Sequence, residues 1–180
     1  QVFRDAGFPD DLFRTVFISV PQSKQVIRHT HVAAVTLTGS TSAGKAVAKE
    51  AGARLKKCVL ELGGSDPYLI LEDADLDLAI DACATSRLLN SGQSCIAAKR
   101  FLVVEPIRAE FERRFVERMA RAVVGDPFRD GVDVGPQARA DLRDTLHDQV
   151  QRSLTAGARP LLGGTLPGGP GYFYPATVLT

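Results

Sequence analysis

Tryptophan is absent, methionine occurs once, cysteine three times, and aromatic residues make up 7% of the 180 positions. Three cysteines in a chain of this length are no disulfide framework, and an odd count fits a reducing compartment such as the cytoplasm. An excess of either charge is also lacking: 22 Lys and Arg against 21 Asp and Glu leave a formal net charge of +1. That balance gives no support to bulk attraction towards nucleic acid or an anionic membrane. No apolar run approaches the ~18 residues of a membrane span. The first residues also lack the basic-then-apolar pattern of a signal peptide, and there is no internal repeat or low-complexity tract. What is present is an ordinary globular composition, 44% hydrophobic and 24% charged, in a length that suits one domain or parts of two. The chain starts at Gln1 and stops at Thr180, just after the apolar stretch Ala176–Leu179, so both ends are expected to be cut from something longer.

Short apolar runs alternate with amphipathic stretches. Val16–Val20 and Val32–Leu37 read as strands, and Ala46–Lys57 as a helix with Val47, Ala51 and Leu55 spaced by four. Cys58–Leu62, Pro67–Leu71 and Phe101–Val104 read as further strands. Asp73 is the expected N-cap of a helix carrying Leu76, Ile80, Ala84 and Leu88, which breaks at Asn90–Cys95. A second helix is expected from about Pro106 to Val124, with Phe111, Phe115 and Met119 on one face, and a third over Ala138–Ala156. Asp126–Pro136 and Gly163–Gly171 read as loops, and the last apolar stretch as a strand. Strand–helix alternation on this scale predicts an α/β fold with largely parallel pairing.

Three features could carry chemistry. Gly39–Lys45, between a strand and a helix, could cradle a phosphate with backbone N–H groups and the positive end of the helix. It falls one residue short of a P-loop, because Ala46 stands where a hydroxyl should reach Mg²⁺; a tight turn needing glycine is the other reading. Cys95 follows the small, polar run Asn90-Ser91-Gly92-Gln93-Ser94, a setting that suits a nucleophilic thiol with nearby oxyanion donors. Cys58 and Cys83 lie in apolar surroundings and are expected to be buried and inert. Glu61, in Val59-Leu60-Glu61-Leu62, is either the polar member of an alternating strand or a general base made stronger by desolvation. No His or Cys cluster has zinc spacing, so no metal is expected. There is no G-x-S-x-G elbow, and the arginines from Arg113 to Arg121 alternate with Glu110, Glu112 and Glu117 as on a solvated helix face.

Taken together, Thr38–Lys45 (TGSTSAGK), Val59–Gly64 (VLELGG) and Asn90–Cys95 (NSGQSC) resemble the aldehyde dehydrogenase superfamily, in the family's order. The 34 positions from Glu61 to Cys95 match the family's spacing between base and nucleophile. Weaker family-like phrases are Val124–Pro127, Gly135-Pro136, Gly157-Ala158 and Gly163-Gly164, so the resemblance covers nearly the whole chain. Gly64–Pro67 and Ala97–Phe101 look like the bacterial succinate-semialdehyde dehydrogenase relatives.

The resemblance implies the end of a Rossmann-like cofactor domain over residues 1–61, then the start of a catalytic α/β domain over 62–180. It implies oxidation of an aldehyde with NAD or NADP, Cys95 as nucleophile and Glu61 as base. Gly39 and Ser40 would lie against the cofactor pyrophosphate, Thr41 and Gly44 would belong to the same cofactor site, and Leu62 would approach the nicotinamide side through its backbone. Glu61 favours hydrolysis over acyl transfer to coenzyme A. A small aldehyde partner, a homo-oligomer at full length and a cytoplasmic location are also implied, without nucleic acid or membrane. In some succinate-semialdehyde enzymes an Arg directly precedes the N-x-G-Q-x-C motif and binds the substrate carboxylate; here Leu89 stands there and Arg87 lies two residues earlier. Two other readings remain open at this point: a non-catalytic fragment of such an enzyme, and a P-loop nucleotide hydrolase.

Overall fold

The computed structural model describes residues 1–180, which form two compact units, Gln1–Gly63 and Gly64–Thr180. The first unit contains α1 (Val2–Asp5), α2 (Val20–Arg28), β1 (Ala34–Thr38), α3 (Thr41–Gly52) and β2 (Lys57–Glu61). β1 and β2 pair in parallel, from Ala34 opposite Lys57 to Thr38 opposite Glu61. A parallel pair needs a crossover, and α3 supplies it by packing against both strands. Ala51 is fully buried on α3, and Ile27 is buried on α2. The two helices are tied by Arg28 Nε on Glu50 Oε2 at 2.7 Å. Lys56 Nζ donates to the carbonyls of Ile27 (2.6 Å) and His29 (2.5 Å), satisfying acceptors that the end of α2 leaves open.

Three expectations for this unit need correction. Val16–Val20 is not a strand: Val20 opens α2, and Phe17 is 99% exposed. A capping box overrides the local preference for strand, with Ser19 Oγ accepting from Gln22 N and the Gln22 side chain accepting from Ser19 N. α3 begins at Thr41, five residues before Ala46, because Ser40 Oγ caps Ala43 N at 3.2 Å. It ends at Gly52, and Leu55 turns the chain with φ 54°. Cys58 is exposed, not buried, since the two-stranded sheet leaves most of β2 uncovered.

The second unit contains β3 (Pro67–Ile70), α4 (Leu76–Leu88), a 3-10 turn (Leu89–Gly92), β4 (Arg100–Val103), α5 (Glu105–Ala120), α6 (Ala140–Thr155), β5 (Pro160–Leu162) and β6 (Val178–Leu179). β3 and β4 are parallel, with Pro67 opposite Arg100, while β5 and β6 are antiparallel. The core lies where α4 and α5 cover β3 and β4: Ile70, Ile80, Cys83, Ala84, Phe111, Phe115 and Met119 are buried together. The four-residue spacing of α4 and the expected apolar face of α5 therefore do face the core. The Phe111 and Phe115 rings stack at 5.5 Å, and Phe101 of β4 meets Phe115 at 4.7 Å.

Here too the structure departs from expectation. The N-cap of α4 is Asp75, whose carboxylate accepts from Asp77 N (3.0 Å) and Leu78 N (3.1 Å), and not Asp73. α5 stops at Ala120, because Asp133 Oδ2 accepts from Val123 N at 2.8 Å and the chain bridges Val124 to Val134. Two of the four arginines of α5 do more than line a solvated face, with Arg114 paired to Asp77 and Arg118 to Asp81 of α4. These pairs are partly exposed and set the register of the two helices more than they stabilise it. The α/β class is as expected.

Candidate active site

In the first unit, β1 turns into α3 through Gly39 and Ser40. Gly39 N–H donates to Glu61 O at 2.9 Å, so the turn after β1 is pinned to the end of β2. Ser40 caps α3, and its Oγ lies 2.9 Å from Ser42 Oγ. Thr41 is the first helical residue; Gly39, Ser40 and Thr41 are all exposed at the positive end of a 12-residue helix. Gly44 and Lys45 belong to that helix and not to the preceding loop. Gly44 is buried, with its N–H on Ser40 O. A Cβ on Gly44 would come within 2.6 Å of Leu62 Cδ2, so glycine lets Leu62 sit against the helix backbone. Glu61 closes β2 with its carboxylate exposed, and Leu62 is half-buried. This corner can hold an anion next to a carboxylate and an apolar shelf.

In the second unit, Cys95 is exposed on the loop that joins α4 to β4. The loop opens with three consecutive left-handed residues, Asn90 (φ 52°), Ser91 (φ 54°) and Gly92 (φ 75°). Such a run is unfavourable for L-residues and persists only where surrounding contacts hold it. Those contacts come from several directions. Arg87, on the last turn of α4, donates from Nη2 to Gly92 O at 2.5 Å and from Nη1 to Ala98 O at 3.2 Å. Ser91 Oγ accepts from Gly135 N at 2.9 Å, and Gln93 Oε1 accepts from Ala138 N at 3.0 Å. Ser86 Oγ accepts from Ala98 N at 3.2 Å and lies 2.9 Å from Tyr68 OH. Gly64 packs so closely under the loop that a Cβ there would run into the Cys95 carbonyl, and Lys99 Nζ donates to Gly64 O. Ala97 and Ala98 are buried immediately after the exposed pair Cys95 and Ile96.

The other candidates separate clearly. Cys83 is 3% exposed, and burial pushes its thiol pKa up, away from the reactive thiolate. Partial burial pulls the Arg87 guanidinium down from its usual value, though arginine stays charged. A cavity of about 620 Å³ lies on the α5–α6 side of the loop, bounded by Arg87, Gly92 and Gln93 and by Phe115, Val150 and Tyr174. Cys95 does not line it. His29 and His31 answer each other, with His31 N–H on His29 Nδ1 at 3.2 Å.

The structure brings Gly39 to Glu61 and Gly44 to Leu62 in one unit, and Gly64 to Cys95 in the other. The supports at Arg87, Gly135 and Ala138 are not apparent from spacing. Their only sequence signals are the displaced Arg87 and the phrase Gly135-Pro136.

The comparisons with known proteins agree with one another. The profile of the aldehyde dehydrogenase family matches residues 1–180. A succinate semialdehyde dehydrogenase (NAD(P)+) of Escherichia coli strain K12 is 50% identical over 179 residues, 99% of this chain and 39% of the relative. A succinate-semialdehyde dehydrogenase (NADP(+)) of Mycobacterium leprae is 48% identical over the full 180 residues, again 39% of the relative. Among solved structures, succinic semialdehyde dehydrogenase from Streptococcus pyogenes in complex with NADP+ superposes with a TM-score of 0.87 at 38% identity, covering 91% of this chain and 36% of that one. Lactaldehyde dehydrogenase from Escherichia coli gives 0.84 at 38% identity, covering 87% and 33%. The chain therefore spans about 39% of the length of the curated relatives it matches. With matching motifs, matching fold and a profile that covers every residue, the chain belongs to the aldehyde dehydrogenase family.

Proposed function

We propose that this chain is the part of an NAD- or NADP-dependent oxidoreductase that carries its nucleophile and its base, and that the enzyme oxidises an aldehyde to a carboxylic acid. The observation that carries the reading is the exposed Cys95 thiol on a loop held from both sides. The first unit would be the end of the cofactor domain, with its boundary near residue 61, and the second the start of the catalytic domain. The curated relatives named above make succinate semialdehyde the first substrate to try. The family likeness also implies a homo-oligomer of the full-length protein in the cytoplasm.

The Cys95 thiolate attacks the aldehyde carbon, forming a C–S bond, and the carbonyl oxygen takes up the electron pair as an oxyanion. The Cys95 backbone N–H donates to that oxyanion. A bound nicotinamide dinucleotide would supply the hydride acceptor that converts the resulting thiohemiacetal into a thioester. Glu61 then removes a proton from water as it attacks the thioester carbon. The C–S bond breaks, the carboxylic acid leaves, and the thiolate is restored. The exposed corner of α3 would hold the dinucleotide: Gly39, Ser40 and Thr41 stand at the helix end that would meet its phosphates, Gly44 makes room for Leu62, and Leu62 would approach the nicotinamide side through its backbone.

The test is Cys95→Ala in the complete protein, with aldehyde-dependent reduction of the dinucleotide as readout. Activity should fall roughly 1,000-fold or more, as for loss of a nucleophile. Unchanged oxidation would overturn the reading.

A further inference from the structure

The loop around Cys95 has one support that reaches both of its ends. Arg87 Nη2 donates to the carbonyl of Gly92, and Arg87 Nη1 to the carbonyl of Ala98. These acceptors stand three residues before and three residues after Cys95. A guanidinium is planar and rigid, with donors that diverge from one carbon, so a single group ties both feet of the arch at a fixed separation. A lysine has one compact donor centre and can serve one foot well but not both.

The surroundings are built for this arrangement. Gly92 carries φ 75°, and a Cβ there would collide with Arg87 Nη2, so the glycine gives the guanidinium its place. Arg87 is half-buried, and no carboxylate is paired with it; it is held by carbonyl dipoles alone. The chain enters the arch through the left-handed residues Asn90 and Ser91, a conformation that reverts unless it is restrained. On the far side, Gly135 and Ala138 bind Ser91 and Gln93, but nothing there reaches beyond Cys95 to Ala98.

We infer that Arg87 is the positioning residue for the nucleophile: it spans the arch from Gly92 to Ala98 and thereby sets where the Cys95 thiol stands. Two of its five N–H groups are held by the protein backbone, and this positioning role is distinct from the anchoring of a substrate carboxylate. The inference rests on the proposed role of Cys95.

The test uses the complete enzyme with Arg87→Lys and Arg87→Gln. The readouts are kcat and KM for succinate semialdehyde and for an uncharged aldehyde, dinucleotide affinity, Cys95 alkylation by iodoacetamide, and folded fraction by circular dichroism. A misplaced nucleophile should lower kcat for both aldehydes by about 10- to 100-fold, with Arg87→Lys the milder variant. The alkylation rate should shift at least about fivefold while dinucleotide affinity holds within about twofold. Three results would each overturn the inference: kcat and alkylation within about twofold of the parent in both variants, a KM rise confined to the carboxylate-bearing aldehyde with kcat unchanged, or a kcat loss that only tracks the folded fraction. Full activity in Cys95→Ala would instead remove the reading beneath it, so the two failures are distinct.

Discussion

At the residue scale, two cysteines that look alike in the sequence, Cys58 and Cys83, part company, and the three cysteines end in three environments. Cys83 is locked in the α4–α5 core, Cys58 lies on an uncovered strand, and Cys95 stands on a loop with its backbone under tight restraint. That restraint depends on Gly64, where the missing side chain lets one backbone pass directly beneath the Cys95 carbonyl. Backbone cannot rotate away as a side-chain tip can, so a methyl group here forces the loop itself to move. Gly64→Ala in the complete protein should cost about 1–3 kcal/mol, the usual range for overpacking. Urea denaturation checks the number, and a stability equal to the parent would show that the loop yields freely.

At the scale of elements, caps decide where helices begin, and they explain most departures from the periodicity reading. The run Val16–Val20 has strand formers, but Ser19 and Gln22 close a capping box and Val20 becomes helical. α3 starts early because Ser40 caps it, although the residues Thr41–Lys45 carry no apolar period. For α4 the expected cap is Asp73, but the residue that accepts from two open N–H groups is Asp75. Asp75→Ala should therefore destabilise the protein by ~1 kcal/mol. Asp73→Ala should stay within about 0.5 kcal/mol of the parent. Thermal melts of the two variants side by side check this, and equal losses would reject the assignment.

At the scale of the whole molecule, the accessible surface is 12602 Å². A compact monomer of 19.3 kDa is expected to expose about 8,500 Å². Even two separate compact bodies of the two units' sizes would expose only about 10,100 Å² together, so the excess lies within the units whatever their arrangement. Large apolar side chains account for part of it, including Phe17 at 99%, Phe128 and Leu55 at 97%, and Phe13 at 67% exposed. Large apolar side chains left in water to this extent favour burial against other protein. The isolated 180-residue chain should accordingly associate in solution, bind a hydrophobic dye and melt without a sharp transition. Sedimentation and calorimetry are the measurements, and a compact monomer with a cooperative melt would contradict the expectation.

The family was legible in the sequence because its motifs are short, local and ordered: a glycine turn before a helix, a carboxylate in a strand, a cysteine after small polar residues. The apolar faces of α4 and α5 were legible for a similar reason, since helical period alone puts Ile80 with Ala84 and Phe111 with Phe115 on one side. Other features depend on groups far apart in the chain. The bond from Gly135 to Ser91 crosses 44 positions, and the contact of Gly64 with Cys95 crosses 31. No period or local preference encodes such a meeting; it exists only once β3, β4 and α4 are packed. Sequence by itself determined which residues carry chemistry-bearing groups and which faces are apolar. Tertiary structure decided that Cys58 stands exposed while Cys83 does not, and that Arg87 turns inward to the backbone, because burial and long-range hydrogen bonding are properties of the packed units.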